Sequence, residues 1–216
     1  GDHRDLHLSL RRQRQMCIRD SLSVVWADMK RFTDAREAKT RDEVWFLEHP
    51  PVFTLGLNAD RAHLLTPGTI PVWQIDRGGQ VTYHGPGQLV IYTLIDLRRL
   101  KISVRGLVEA LEAAVIDTVA GYGIDAYGQR DAPGVYVDGK KLAAVGLRVR
   151  RYCSYHGVAV NVNMDLAPFA KINPCGFEGL EVTQLSQLSD VSELATVRQD
   201  IEPNLRSRMN CFSVTA

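Results

Sequence analysis

What this sequence lacks narrows it first. Its 216 residues carry no basic excess, since 26 Lys and Arg face 25 Asp and Glu for a formal net charge of +1. A protein that grips nucleic acid through its phosphates needs such an excess, so general nucleic-acid binding is set aside. Long hydrophobic runs are missing too. The longest, Leu89 to Ile95, falls far short of the roughly 20 apolar residues that span a bilayer. Cysteine is scarce: Cys17, Cys153, Cys175 and Cys211 lie far apart with no C-x-x-C pair. That excludes a secreted disulfide framework and a structural zinc site, and it points to reduced thiols in a cytoplasm. No apolar stretch follows Arg11-Arg12, so neither a secretory nor a twin-arginine signal is expected. Internal repeats and linkers are absent as well. What remains is 45% apolar and 24% charged, the composition of a soluble globular protein with one full core.

Residues 1–22 differ from the rest. They are Arg-rich, which reads as a disordered or non-native arm; Met16 to Ser21 resembles a translated sequencing adapter. From Leu22 onward, Val25, Trp26, Met29 and Phe32 recur at helical spacing. Strands are expected at Val44–Leu47, Val52–Leu55, Val72–Ile75 and Leu89–Leu97. Ser103 is placed to cap a helix whose apolar positions run from Leu107 to Tyr122. Gly134–Val137 and Lys140–Val149 flank Asp138-Gly139, a strong two-residue hairpin signal. His156–Met164 reads as a strand, and Asp190–Arg206 as a helix with Asp190 and Glu193 at capping-box spacing. Few, separated helices and strands that meet in hairpins give an α+β class: a single domain with a central mixed or antiparallel sheet flanked by helices.

Three segments could carry chemistry. Arg77 to Gln88 packs four glycines among residues able to hydrogen-bond, so its backbone can approach an oxygen-rich ligand closely. A turn-rich connecting loop explains it about as well. Along the hairpin, alternation puts Lys141 on one face with Ala143, Val145, Leu147 and Val149, and Lys140 on the other with Leu142, Ala144, Gly146 and the arginines. A lysine aimed into apolar surroundings loses hydration, which lowers its pKa toward that of a base; snorkelling to solvent is the plainer alternative. Cys175, between Pro174 and Gly176, sits on a constrained turn that can present a thiol, although most such cysteines are inert. Cys153 and His156 offer two metal ligands where zinc needs at least three, so no metal is expected. The basic runs Arg98 to Lys101 and Arg148 to Arg151 are solvated faces or docking points for an acidic protein.

Taken together, Arg77 to Gln88, Ala132 to Val137, Gly146 to Arg148, His156-Gly157, Asn161 to Leu166 and Ile172 to Gly176 resemble the motifs of lipoyl(octanoyl) transferases. The likeness runs from about Trp26 to Leu188 and fades at both ends. It implies the biotin/lipoate ligase–transferase fold, with a catalytic domain over 23–216. It also implies a reaction: octanoyl passes from acyl carrier protein to Cys175 as a thioester, then to a lysine of a lipoyl domain. Lys141 matches the paired lysine of that family. The acceptors so implied are the lipoyl domains of 2-oxoacid dehydrogenase complexes and the glycine cleavage H protein, with no cofactor. Acyl and thioester contacts are implied for Arg77, Gly78, Gly79, Gln80, Val81, Thr82, Tyr83 and His84, for Ala144, Val145 and Gly146, and for Gly157, Val158 and Ala159. The small residues among them leave room for a C8 chain, which burial stabilises by ~0.8 kcal/mol per methylene. Backbone N–H groups near Gly78, Gly79 or Gly146 are candidate oxyanion donors. An ATP-dependent lipoate–protein ligase and a non-catalytic acyl- or carrier-binding module are the rival readings.

Overall fold

A computed structural model describes residues 21–210. The arm expected over 1–22, apart from Ser21 and Leu22, lies outside the described residues, as do Cys17 and Cys211. In chain order the elements are α1 (Leu22–Asp34), β1 (Glu43–Leu47), β2 (Val52–Leu55), β3 (Val72–Gln74), β4 (Thr82–His84), β5 (Gln88–Leu94), α2 (Leu97–Leu100) and α3 (Val104–Ala120). There follow β6 (Tyr127–Gly128), β7 (Gly134–Val137), β8 (Lys140–Arg150), β9 (Cys153–Asn161), α4 (Leu185–Leu188) and α5 (Leu194–Asn210). Short 3₁₀ turns occupy Arg61–His63, Ala167–Lys171 and Pro174–Gly176.

The main sheet has six strands in the order β1-β5-β9-β8-β7-β6, every neighbouring pair antiparallel. A smaller sheet, β3-β2-β4, is mixed. Two helices cover one face of the main sheet. Leu107, Leu111 and Val115 of α3, with Val197 and Ile201 of α5, pack on Leu89, Ile91, Val158 and Val160. Each large apolar side chain so buried contributes on the order of 2 kcal/mol. Ser103 Oγ accepts the Gly106 N–H at 3.0 Å, as its capping position predicts. On the opposite face, Val25 and Met29 of α1 pack on Val90, Tyr92, Tyr155 and Ala159. The small sheet stands beside this second face, and a gap is left between them.

Several boundaries moved. The β5 strand stops at Leu94, and Leu97 instead opens α2, capped by the Asp96 carboxylate on the Arg98 N–H. Strand β9 begins at Cys153 rather than His156, because Arg151 and Tyr152 form the turn of a second hairpin at φ +51° and +64°. Helix α5 starts at Leu194, and the Glu193 carbonyl accepts its first helical bond from Val197. Asp190 therefore lies upstream of the helix, and the expected capping box does not form.

One correction matters for the site. The pairing of β7 with β8 jumps from Val135↔Ala143 to Tyr136↔Lys141, so Leu142 is an extra residue, a β-bulge. Bulges re-aim side chains next to sites. Here Leu142 and Ala143 both enter the α3/α5 core, and Lys141 turns to the other face, beside Ala144. The alternation that grouped Lys141 with Ala143 and Val145 does not survive the bulge.

Candidate functional site

Cys175 sits in the turn Pro174–Gly176 with left-handed dihedrals, φ +57° and ψ +15°. A non-glycine residue enters that region at a cost of about 1–2 kcal/mol, so its neighbours must impose it. The Cys175 N–H donates to Val81 O at 3.1 Å, and the Gly176 N–H donates to Asn173 O at 2.9 Å. Asn173 is in turn tied to His63, its N–H donating to the His63 carbonyl at 2.9 Å. The sulfur is half-buried.

Lys141 Nζ lies 2.9 Å from Cys175 Sγ. It also donates to Pro133 O at 3.3 Å and stands 5.0 Å above the Tyr136 ring centre. Its backbone is pinned from the far side, N–H to Glu181 O at 2.9 Å and carbonyl from Thr183 N–H at 3.0 Å. The loop carrying Pro133 is itself fixed: the Tyr136 hydroxyl donates to Ala132 O at 2.7 Å, and the Gly134 N–H donates to the Glu112 carboxylate at 2.8 Å. Burial pushes the Lys141 pKa down, as its setting led one to expect. Charge on Cys175, and hydrogen bonds to Cys175 and Tyr136, more than reverse this and leave it above the ordinary lysine value. The side chain is thus held as an ammonium beside the sulfur.

From Cys175 a cavity opens between the two sheets. Ala144, Val145 and Gly146 of β8 and Gly157, Val158 and Ala159 of β9 form its floor. Arg77, Gly79, Gln80, Val81, Thr82 and His84 wall it from the glycine-rich segment. The structure therefore gathers these predicted contacts around one space. It leaves two out. Tyr83 packs between Phe53 and Phe169 behind the wall, and the Gly78 N–H donates to Leu147 O at 2.8 Å. That bond removes Gly78 as an oxyanion donor and leaves Gly79 and Gly146 as the candidates.

The cavity wall is unusually polar behind its apolar lining. Arg77, 8% exposed, is held by neutral oxygens: it donates to Thr54 O at 2.6 Å, Thr54 Oγ1 at 2.8 Å and Gly78 O at 2.9 Å. Burial lowers its pKa to about 10, with the Cys175 and Tyr92 charges opposing. His84 is pushed down to about 3, first by burial and then by His49, so it is neutral, bonded to Gln88 Oε1 at 2.7 Å. Gln88 donates to Asn161 Oδ1, and Asn161 to Thr183 O, at 2.9 and 3.0 Å. This chain of buried amides links the wall to the segment, Glu181 to Thr183, that pins Lys141.

Sequence reasoning passed over Asp76. Its carboxylate accepts from Trp26 Nε1 at 2.7 Å, from His156 Nε2 at 3.1 Å and from the Tyr155 hydroxyl. Burial would raise its pKa, but those bonds and the His156 charge hold it far below the ordinary carboxylate range. The available signal was its place beside Arg77, ahead of the glycines. His63 and Glu112 were missed because only the fold brings them near Cys175 and Lys141. Of the C-x-x-H pair, Cys153 Sγ donates to Arg151 O at 3.7 Å and His156 is committed to Asp76. Among the described residues no three His, Cys, Asp or Glu side chains gather as a metal site. The two basic runs meet at the β8–β9 turn, where the Arg98 guanidinium stacks 4.8 Å from the Tyr152 ring centre. No helix among the described residues is long and apolar enough to cross a membrane.

Comparison with known proteins agrees with this architecture. Residues 22–205 match the family model of the lipoyl protein ligase A/B catalytic domain. An octanoyltransferase of Saccharophagus degradans is 59% identical over 193 residues, covering 89% of each chain. One from Pseudoalteromonas atlantica is 53% identical over 190 residues, covering 88% of each. Among solved structures, that of a bipartite lipoate protein ligase and its E2 lipoyl domain from Thermoplasma acidophilum superposes with a TM-score of 0.69. It does so at 15% identity, over 87% of this chain and 78% of that one, which is a likeness of fold. By the family model and these relatives, the chain belongs to the lipoyl protein ligase A/B catalytic-domain family.

Proposed function

We propose that this protein transfers an octanoyl group from octanoyl-acyl carrier protein to a lysine of a lipoyl domain, through a thioester on Cys175. The observation that carries the reading is the 2.9 Å approach of Lys141 Nζ to Cys175 Sγ at the mouth of the cavity. The names of the relatives supply the acyl group, and the E2 lipoyl domain of the archaeal neighbour supplies the class of acceptor.

The Cys175 thiolate, paired with the Lys141 ammonium, attacks the thioester carbonyl and forms a new carbon–sulfur bond. The carbon–sulfur bond to the carrier breaks, and its thiolate takes the proton of Lys141 to leave as a thiol. A neutral acceptor amine then attacks the Cys175 thioester. As the amide forms, the acceptor nitrogen gives its proton to Lys141 and Cys175 departs as the thiolate, which restores the starting pair. One positioned proton-transfer group of this kind contributes about 10²–10⁴ in rate. No step needs ATP.

Incubation with octanoyl-acyl carrier protein tests this by intact mass. An octanoyl adduct cleaved by hydroxylamine is expected, absent in Cys175→Ala, with onward transfer to a lipoyl domain in ATP-free buffer. An adduct that persists in Cys175→Ala, or transfer that stops without ATP, would falsify the thioester reading.

A further inference from the structure

Strand β9 contains a backbone anomaly that its pairing does not require. His156 has φ +61°, in the region a non-glycine residue enters at a cost of about 1–2 kcal/mol. No inserted residue produces it, for the β8–β9 register runs unbroken from Ala143↔Val160 to Arg150↔Cys153. Strand alternation would send His156 with Val158 and Val160 into the α3/α5 core. Its ring instead lies on the cavity side, with Nε2 at 3.1 Å from Asp76 Oδ1 and the Tyr92 ring edge-on at 5.8 Å. Backbone strain that persists must be imposed by surroundings, and it concentrates where a side chain has a task.

The position of that ring along the cavity has a measure. Ala144 shares a small cavity with Lys141 and Cys175 and pairs with Ala159. His156 pairs with Leu147, three residues further along β8, which is about 10 Å at strand rise. An extended octanoyl chain has seven carbon–carbon bonds of about 1.5 Å and spans ~9 Å from carbonyl carbon to methyl. Between the two stations the cavity is lined by Gly146 and Gly157. Behind His156 stands the Asp76 carboxylate, so a longer chain would press methylenes into a charged hydrogen-bond cluster.

We propose that the His156 imidazole, locked by Asp76, is the end wall of the acyl cavity and sets its limit at eight carbons. This rests on the octanoyl-transfer reading. His156 determines specificity and stands away from the reacting atoms.

The test compares octanoyl-, decanoyl- and dodecanoyl-carrier thioesters by kcat/KM for Cys175 adduct formation. His156→Gly and His156→Asn both accept a left-handed backbone and shorten the wall. The wild-type protein is expected to discriminate against dodecanoyl, and each variant to reduce that discrimination by roughly tenfold or more. A measurement without variants follows the His156 ring resonances of the wild-type protein, which are expected to shift when Cys175 is octanoylated and not when it is acetylated. An unchanged chain-length ratio in the folded variants, a wild type that takes dodecanoyl as fast as octanoyl, or silent His156 resonances would each overturn the end wall. No adduct with any chain overturns the octanoyl-transfer reading instead.

Discussion

Replacing Lys141 with methionine keeps an unbranched side chain, one atom shorter, and removes its charge, which isolates the contribution of the ammonium. Nζ stands 2.9 Å from Sγ in a side chain only 3% exposed. Opposite unit charges at that separation attract by roughly 6 kcal/mol at an effective dielectric constant of about 20. The desolvation of the amine opposes this. Because the Lys141 pKa nevertheless lies above its ordinary value, attraction outweighs desolvation. A net 3–5 kcal/mol at the transition state is a reasonable remainder, which corresponds to about 10²–10⁴ in rate. The assay is single-turnover quench of Cys175 octanoylation, read by intact mass, at saturating octanoyl-carrier protein. Lys141→Met is expected to slow adduct formation by that factor with its thermal transition preserved. A folded variant that reacts within tenfold of wild type would refute the pairing argument, since the charge would then be doing nothing that solvent cannot.

Two further predictions concern the frame around the cavity. Asp76→Ala strands three donors, from Trp26, Tyr155 and His156, and should cost about 3–5 kcal/mol in urea unfolding at neutral pH; Asp76→Asn, which keeps one acceptor oxygen, should cost less. A carboxylate with a depressed folded pKa adds stability that is present above its unfolded value, 3.8, and lost as pH falls toward the folded one. The gap between wild type and Asp76→Asn should therefore shrink when unfolding is repeated near pH 3, and a constant gap would remove the electrostatic account. Gly157→Ala places a Cβ 2.0 Å from the Ile91 carbonyl oxygen, between the central strands, and should lower the melting temperature far more than Gly139→Ala. Gly139 meets nothing within 4 Å and pays only for φ +80°. Similar melting temperatures for the two would mean that β5 and β9 can separate freely.

How much could be read from the chain depended on whether a feature is local. The Asp138-Gly139 turn was legible because φ +48° and +80° suit those two residues. The turn at Arg151-Tyr152 has the same handedness without glycine or asparagine, and it hid inside a basic run. Alternation gave the correct face for Ala144 and Gly146, yet failed one bulge earlier at Lys141, since an unpaired residue such as Leu142 leaves no mark on period two. The parallel pairing of β2 with β3 and the buried network around Gln88 are long-range, and periodicity carries no long-range information. Motif likeness, by contrast, had already named Cys175, Lys141 and most of the cavity floor and wall. What it lacked was the support: Glu112, Asp76 and His63, each from a separate part of the chain.

The left-handed residues tie these observations together. Lys101, Asp138, Arg151 and Tyr152 have positive φ at turns or at a helix end, where the chain must reverse or stop, so their conformation follows from chain direction. Cys175 and His156 also have positive φ, and chain direction explains neither the inward sulfur nor a register-neutral reversal in mid-strand. Both border the same cavity. Each is held by bonds from another element, Cys175 by Val81 and Lys141, His156 by Asp76. Strain of 1–2 kcal/mol per residue persists only where the surroundings over-determine it, and here the surroundings are the Val81 carbonyl, Lys141 and Asp76, which stand at or behind the cavity. The polar frame behind an apolar cavity thus fixes two points on it, the Cys175 sulfur and the proposed end wall, at a separation that a flexible lining alone would not hold.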